Sequence, residues 1–291
     1  MNVLVGTQFY ATRRADVVRR QAQCAASLVN LRGADVVNLQ WPAERFDWPA
    51  IETVVALEQD SRGVAGSPGP PRPILSELFA ALGSLAERRG LRYFLFVNSD
   101  IIVTQAAVDA VTRLGKQTYA ISRMDVDADT GRDAGIVTAG IDAFGFDVDW
   151  WRAERARFRP YVLGEWFYDC VFAAIMMTFG DGVILNRAGE IRHEQHPRGP
   201  SASSRSALFN GYLAALDSRE FTLWAQYHAG LETLRARGAT EAEEHAFAKK
   251  TFVWRPSPFA AAWHAGRCVR ARWSYTRACA RLSATAAGAP R

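Results

Sequence analysis

Apolar and polar positions switch between the strand and helix periods along the chain, and the switching predicts βαβ units from the start. An apolar strand over residues 2–5 runs into the polar turn Gly6-Thr7-Gln8. Residues 16–31 then carry apolar side chains at helical spacing with arginines between them, Gly33 closes that helix, and residues 34–39 supply a second strand. Residues 52–57 read as a short third strand, and 61–73 hold so many Gly and Pro that a surface loop is expected. Leu75, Leu78, Phe79, Leu82 and Leu85 mark one face of a helix over 74–89, ended by Gly90. Tyr93 to Val97 is continuously apolar, as suits a central strand covered on both faces, and it stops at Asn98-Ser99-Asp100. Thr104 caps a further helix. Residues 118–122 and 136–146 read as strands joined by a turn over 125–135, residues 164–179 as a helix, 182–185 as a last strand and 197–206 as a Gly/Ser-rich loop. From about Ser206 the pattern is helical only, with a capping box from Thr240 to Glu243, and a tail follows Pro256 and Pro258. The expected organisation is an α/β catalytic domain over 1–205, a helical subdomain over 206–255 and a basic aromatic tail over 256–291.

Composition narrows the class. With 291 residues, 49% hydrophobic and 22% charged, the chain can bury a full core, which excludes collagen-like, coiled-coil and wholly disordered readings. The longest apolar run, Cys170 to Phe179, is far shorter than the ~20 residues of a spanning helix. The first residues lack a signal peptide's basic flank, so a cytoplasmic protein is the expectation. Four cysteines without a C-x-x-C pair indicate neither a disulfide framework nor a zinc knuckle. The net charge of +5 is unevenly spread, because residues 251–291 hold seven arginines and no acid, leaving the rest near −2. In that tail Trp263, Trp273 and Tyr275 interleave with Arg267, Arg270, Arg272 and Arg277. Such a mixture suits the interface of an anionic membrane on the inner face, or equally a helix that packs its aromatics on the catalytic domain. No nucleic-acid reading element is present.

Candidate chemistry gathers at three places. Asn98 and Asp100 sit at the C-terminal edge of the central strand, where open α/β sheets bind ligands. A carboxylate there can hold a divalent cation against a pyrophosphate, or simply end a strand in a turn. The triplets among Asp125, Asp127 and Asp129 read as solvated turn; as a calcium loop they would need Gly and Glu where Thr130 and Ile136 stand. His193 and His196 are two of five histidines and have H-E-x-H spacing, which misses the zinc-protease helix and leaves a cation site or a solvated turn. Glu165 and Asp169, spaced i, i+4 at the start of the expected helix, would share a face. They suit a general base beside aromatics such as Trp166 that hold a sugar ring, or they complement the helix dipole. Thr7 and Gln8 follow the first strand, within reach of a nucleotide base, and Arg13 and Arg14 of phosphates. No G-x-G-x-x-G, P-loop or G-x-S-x-G motif occurs.

Taken in order, Asp60 to Arg62, Pro73-Ile-Leu75, Phe96-Val-Asn-Ser-Asp-Ile101, Gly140-Ile-Asp-Ala-Phe-Gly-Phe146, Gly164-Glu-Trp-Phe-Tyr-Asp169, His193 and His196 resemble a GT-A type glycosyltransferase with a degenerate D-x-D motif. The resemblance spans about Val3 to His196. It implies a Rossmann-like, mixed but mostly parallel central sheet flanked by helices, with a C-terminal helical appendage. It also implies transfer of a sugar from a nucleotide-diphosphate donor to a hydroxyl of a glycan or lipid-linked acceptor, metal-assisted and inverting, as in bacterial surface polysaccharide synthesis. Asp100 then contacts Mn²⁺ or Mg²⁺, and Asn98 takes the first D-x-D position, a departure from the full motif. His193 is the distal metal ligand with His196 as alternative, and Asp169 is the base with Glu165 in reserve. Gln8 and Asp60 resemble base and ribose contacts, Arg62 a phosphate contact and Asp142 a sugar contact. Two other classes remain open: a non-catalytic sugar-nucleotide-binding or scaffold protein, and a nucleotidyltransferase on a similar sheet, whose usual Gly-rich basic loop is absent here.

Overall fold

The computed structural model describes residues 3–196, 204–253 and 258–287. The strands are β1 (Val3–Thr7), β2 (Ala34–Gln40), β3 (Glu52–Val55), β4 (Tyr93–Val97), β5 (Ile101–Val103), β6 (Thr118–Val126), β7 (Asp133–Asp147), β8 (Gly182–Leu185) and β9 (Ile191–Glu194). The helices are α1 (Ala15–Val29), α2 (Ser61–Ala65), α3 (Leu75–Arg88), α4 (Gln105–Leu114), α5 (Val148–Glu154), α6 (Tyr168–Phe179), α7 (Arg205–Leu216), α8 (Ser218–Ala236), α9 (Glu241–Thr251) and α10 (Pro258–Ala287).

One sheet runs β3-β2-β1-β4-β7-β6-β9-β5, with β8 also on β6. Five of its eight pairings are parallel and three antiparallel. The expected mixed, mostly parallel sheet flanked by helices and followed by a helical appendage is therefore the one observed. Side chains of β4 alternate between two buried layers, which is why the strand reads as an unbroken apolar run. Phe94 and Phe96 join the layer of α3, α5 and α6. Tyr93, Leu95 and Val97 join that of α1 and α4. Gly6 lets α3 approach β1, since a Cβ there would stand 2.2 Å from Leu82 Cδ2. Leu213, Trp224, Tyr227, Leu231 and Phe252, from the helices after β9, enter the same apolar cluster as Phe94.

Several expected elements are revised. The Gly/Pro-rich stretch is not loop throughout: Asp60 caps the short α2 by accepting from the amides of Arg62 and Gly63, and Gly66 ends it in the left-handed region. The turn expected over 125–135 shrinks, because β6 and β7 continue as a hairpin through Val126 and from Asp133. Strand β8 is not the last, since β9 follows and carries His193. The helix expected from Gly164 begins at Tyr168, after Phe167 at φ 87°. The loop expected at 197–206 lies outside the described residues up to position 203.

Candidate active site at the end of the fourth strand

The parallel strands β1 to β4 place their C-terminal ends on one edge, and there the chain turns sharply from β4 through Asn98-Ser99-Asp100 into β5. Register then assembles the site. On one flank of β9, His193 is opposite Ile101, the neighbour of Asp100. On the other it is opposite Asp125 of β6. Directly opposed residues have close Cβ atoms on one face, so Asp125 faces His193, while Asp100 reaches the imidazole from the turn just before β5. His193 Nε2 lies 3.7 Å from Asp100 Oδ2, and its Nδ1 lies 3.5 Å from Asp125 Oδ1. Beyond the end of β9, His196 brings its Nε2 to 3.5 Å from Asp100 Oδ2. The potential ligand atoms of Asp100, His193 and His196 all lie within 4.8 Å of one another. Burial raises the affinity of Asp100 for its proton, but the two imidazoles outweigh it and hold the carboxyl well below the ordinary range.

One cation can reach all three donors. Two imidazoles with one carboxylate suit Mn²⁺ or a later transition metal better than Mg²⁺, which prefers oxygen ligands. Asp125 Oδ1, 3.5 Å from His193 Nδ1 without a hydrogen bond between them, stands where a short approach would let it fix a ligating imidazole's ring and tautomer.

Arg123 extends the cluster into the sheet. Its Nε donates to Asp125 Oδ1 at 2.8 Å and its Nη1 to Asp142 Oδ2 at 2.8 Å. The other Asp142 oxygen accepts from Asn98 Nδ2 at 2.8 Å. A chain of contacts thus runs Asn98, Asp142, Arg123, Asp125, His193, Asp100. Register shifts on either side of Ser122 re-aim β6 where Arg123 leaves it. Gly140 makes the room, for a Cβ there would stand 3.1 Å from the guanidinium carbon. The sequence reading missed Arg123, and it took Asp125 for solvated turn. Asp127 and the exposed Asp129 do behave that way in the hairpin tip, where Asp127 accepts from the Asp129 amide and from the Thr130 amide and hydroxyl. The available signal was strand alternation continuing past Ser122, with Arg123 and Asp125 on one face.

The segment before α6 corrects the i, i+4 argument. Glu165 is not on the helix and shares no helical face with Asp169. Its fully buried side chain takes an ion pair from Arg72 and a hydrogen bond from Ser204 Oγ at 2.9 Å, so it ties down the loops beside the site and has no proton-accepting oxygen exposed to an acceptor. Trp166 is 54% exposed beside it. Phe167, at a positive φ uncommon for an aromatic residue, aims the chain into α6. Asp169 therefore falls in the first turn, partly buried. Burial, reinforced by the Asp142 carboxylate, lifts its carboxyl from 3.8 to about 6. Tyr168 is buried, and its hydroxyl is pushed well up by that burial and then by Asp142 and Asp169.

The remaining expected residues lie along the same edge. Thr7 and Gln8 are buried at the end of β1, where Gln8 Nε2 donates to the Phe9 carbonyl at 3.0 Å. Tyr10, in the loop that follows, has its hydroxyl raised first by burial and then by the Asp100 carboxylate. Arg14 pairs with Asp16. Asp60 and Arg62 pair with one another and line a separate cavity of about 560 Å³ with Glu58, Gln59, Gly63 and Val64. The structure thus gathers Asn98, Asp100, Asp142, Asp169, His193 and His196 around the end of β4, sets Asp60 and Arg62 in a neighbouring hollow, and diverts Glu165 into a tether.

No family model matches the chain, and no curated protein matches it. Among solved structures, it is similar to residues 1–349 of TarS from S. aureus in complex with UDP-GlcNAc, at 13% identity and a TM-score of 0.46, over 75% of this chain and 66% of that one. The same part of TarS in complex with UDP gives 12% and 0.43, over 75% and 65%. TarS 1–349 alone gives 12% and 0.46, over 87% and 80%. The chain spans just under two thirds of the length of the first two.

Proposed function

We infer that the protein is a GT-A type glycosyltransferase that moves a sugar from a nucleotide-diphosphate donor to a hydroxyl acceptor with inversion. What supports this is the site itself rather than the distant likeness to TarS. The observation that carries it is the convergence of Asp100, His193 and His196 on one point at the strand edge, with a partly buried carboxyl at Asp169 on the adjoining helix. When bound there, Mn²⁺ would neutralise the diphosphate and the charge that develops on it as the nucleotide departs. Arg123 holds Asp125 beside His193 Nδ1, placed to steady that ring as a ligand. The end of β1 and the hollow beside Asp60 flank the nucleoside end, and Trp166 offers an apolar face to a sugar ring. The acceptor oxygen attacks the anomeric carbon, the bond from that carbon to the phosphate oxygen breaks, and Asp169 takes the hydroxyl proton. A base whose carboxyl titrates at about 6 is ionised at neutral pH and still binds a proton readily.

The test is product analysis over a panel of sugar nucleotides with a hydroxyl acceptor. Release of nucleoside diphosphate supports transfer. Release of pyrophosphate would assign the site to nucleotidyl chemistry, and binding without turnover would make it an inert binder.

Asp169→Asn separates catalysis from stability. The parental carboxyl is raised, so this group costs the fold nothing below 3.8, becomes unfavourable as pH rises to about 6, and keeps a constant penalty above that. The penalty is about 1–3 kcal/mol. The amide removes it: thermal melting at neutral pH is expected to shift up by several degrees relative to the parent, with no gain at pH 4, while transfer falls ~10²–10⁴-fold. Parental transfer in the variant would remove Asp169 as the base.

A further inference from the structure

We propose that α10 docks the protein on the surface of an anionic lipid bilayer through its outward face. The inward face is already taken. Tyr275 stacks on Tyr212 with ring centroids 5.0 Å apart, His264 Nδ1 lies 3.0 Å from Ser218 Oγ, and Cys268 Sγ points at the Leu216 carbonyl at 4.0 Å. These positions recur at helical spacing and meet α7 and the start of α8. Half a turn away stand Val269 and Trp273, 72% and 58% exposed, with Trp263 at 66% on the margin. Arg267, Arg270 and Arg277 border this stripe on one side and Arg272 on the other, all exposed, and the Arg277 guanidinium lies 3.7 Å over the Trp273 ring.

The charge pattern selects the occupant. Residues 245–291 contain no Asp or Glu, so α10 itself carries no acid to offset these arginines, while the centre of the face is apolar. A surface layered in the same way, anionic headgroups above acyl chains, satisfies both: indole rings settle at the boundary while arginines reach the phosphates. No helix among the described residues is long and apolar enough to cross a membrane, so α10 would lie on it. The helix also runs back along α7. Its Tyr275 end lies beside Phe209 and Tyr212, toward the first turn of α7, where Ser204 holds Glu165 in the segment leading to Asp169. Through α7 and Ser204, α10 is thus linked to the segment that leads to Asp169, and lipid-borne hydroxyls become the acceptor class; that last step alone rests on the function inferred above.

Vesicle sedimentation of the full chain tests the docking without any turnover. The parent is expected to pellet with phosphatidylcholine vesicles containing about a third phosphatidylglycerol, and at least tenfold less with phosphatidylcholine alone. V269S/W273S and R270Q/R277Q, exposed changes whose melting curves should match the parent, are each expected to lower that partition about tenfold or more. Equal partition on neutral vesicles, no partition on anionic ones, or parental partition by both variants would overturn the proposal. So would dimerisation through this face without lipid, or duplex DNA binding as tight as that to the anionic vesicles.

Discussion

Asp100→Ala is expected to lower sugar transfer by at least ~10²–10³-fold while leaving a folded protein. Asp100 is the residue that both imidazoles face, at 3.7 Å and 3.5 Å, so its loss removes the carboxylate of the Asp100, His193 and His196 cluster. Alanine leaves strand pairing untouched, because Asp100 sits in the turn between β4 and β5 and the register of β5 on β9 begins at Ile101. Because the imidazoles hold the Asp100 carboxyl low, its loss is expected to lower the thermal melt, but a melt that stays cooperative still separates lost chemistry from lost fold. Parental transfer by a folded variant would rule out a metal role for this residue.

Arg123 is expected to have the second large effect, through two steps that can be told apart. Its side chain is 12% exposed and lies between the carboxylates of Asp125 and Asp142. Arg123→Met leaves two partly buried carboxylates without their cation, at a cost of about 3–5 kcal/mol, and such a variant risks unfolding. Arg123→Lys is the informative change. It keeps the charge but not the fork that reaches both partners in fixed directions. Asp125 is then free to swing from His193, and removing such an outer partner typically weakens metal binding 10–100-fold. The lysine variant is expected to bind Mn²⁺ that much more weakly, with transfer restored at high Mn²⁺. Unchanged affinity in a folded lysine variant would make Arg123 a structural residue only.

The parts of the fold set by local chemistry were legible in the sequence. The run Tyr93 to Val97 is apolar because its alternate side chains enter two buried layers, and the Thr240 capping box forms as expected, with side-chain and backbone bonds exchanged with Glu243. What was not legible depends on register or on a single backbone angle. Nothing local indicates that β9 inserts between β5 and β6, so Asp125 read as part of a turn although it faces a histidine 68 positions later in the chain. Likewise the left-handed Phe167 delays α6 and takes Glu165 off the helix, which no apolar periodicity could reveal. Arg123 was overlooked because a lone arginine after an apolar strand carries no motif; its meaning comes from the two carboxylates that the sheet brings to it.

The most direct measurement is a titration of Mn²⁺ into the full chain, following the electron paramagnetic resonance signal of the free ion, beside Asp100→Ala and His193→Ala. One ion bound per parental chain, and loss of that binding in both folded variants, is the expected result. A parent that binds no Mn²⁺, or variants that bind it as the parent does, would contradict a cation site at the end of β4.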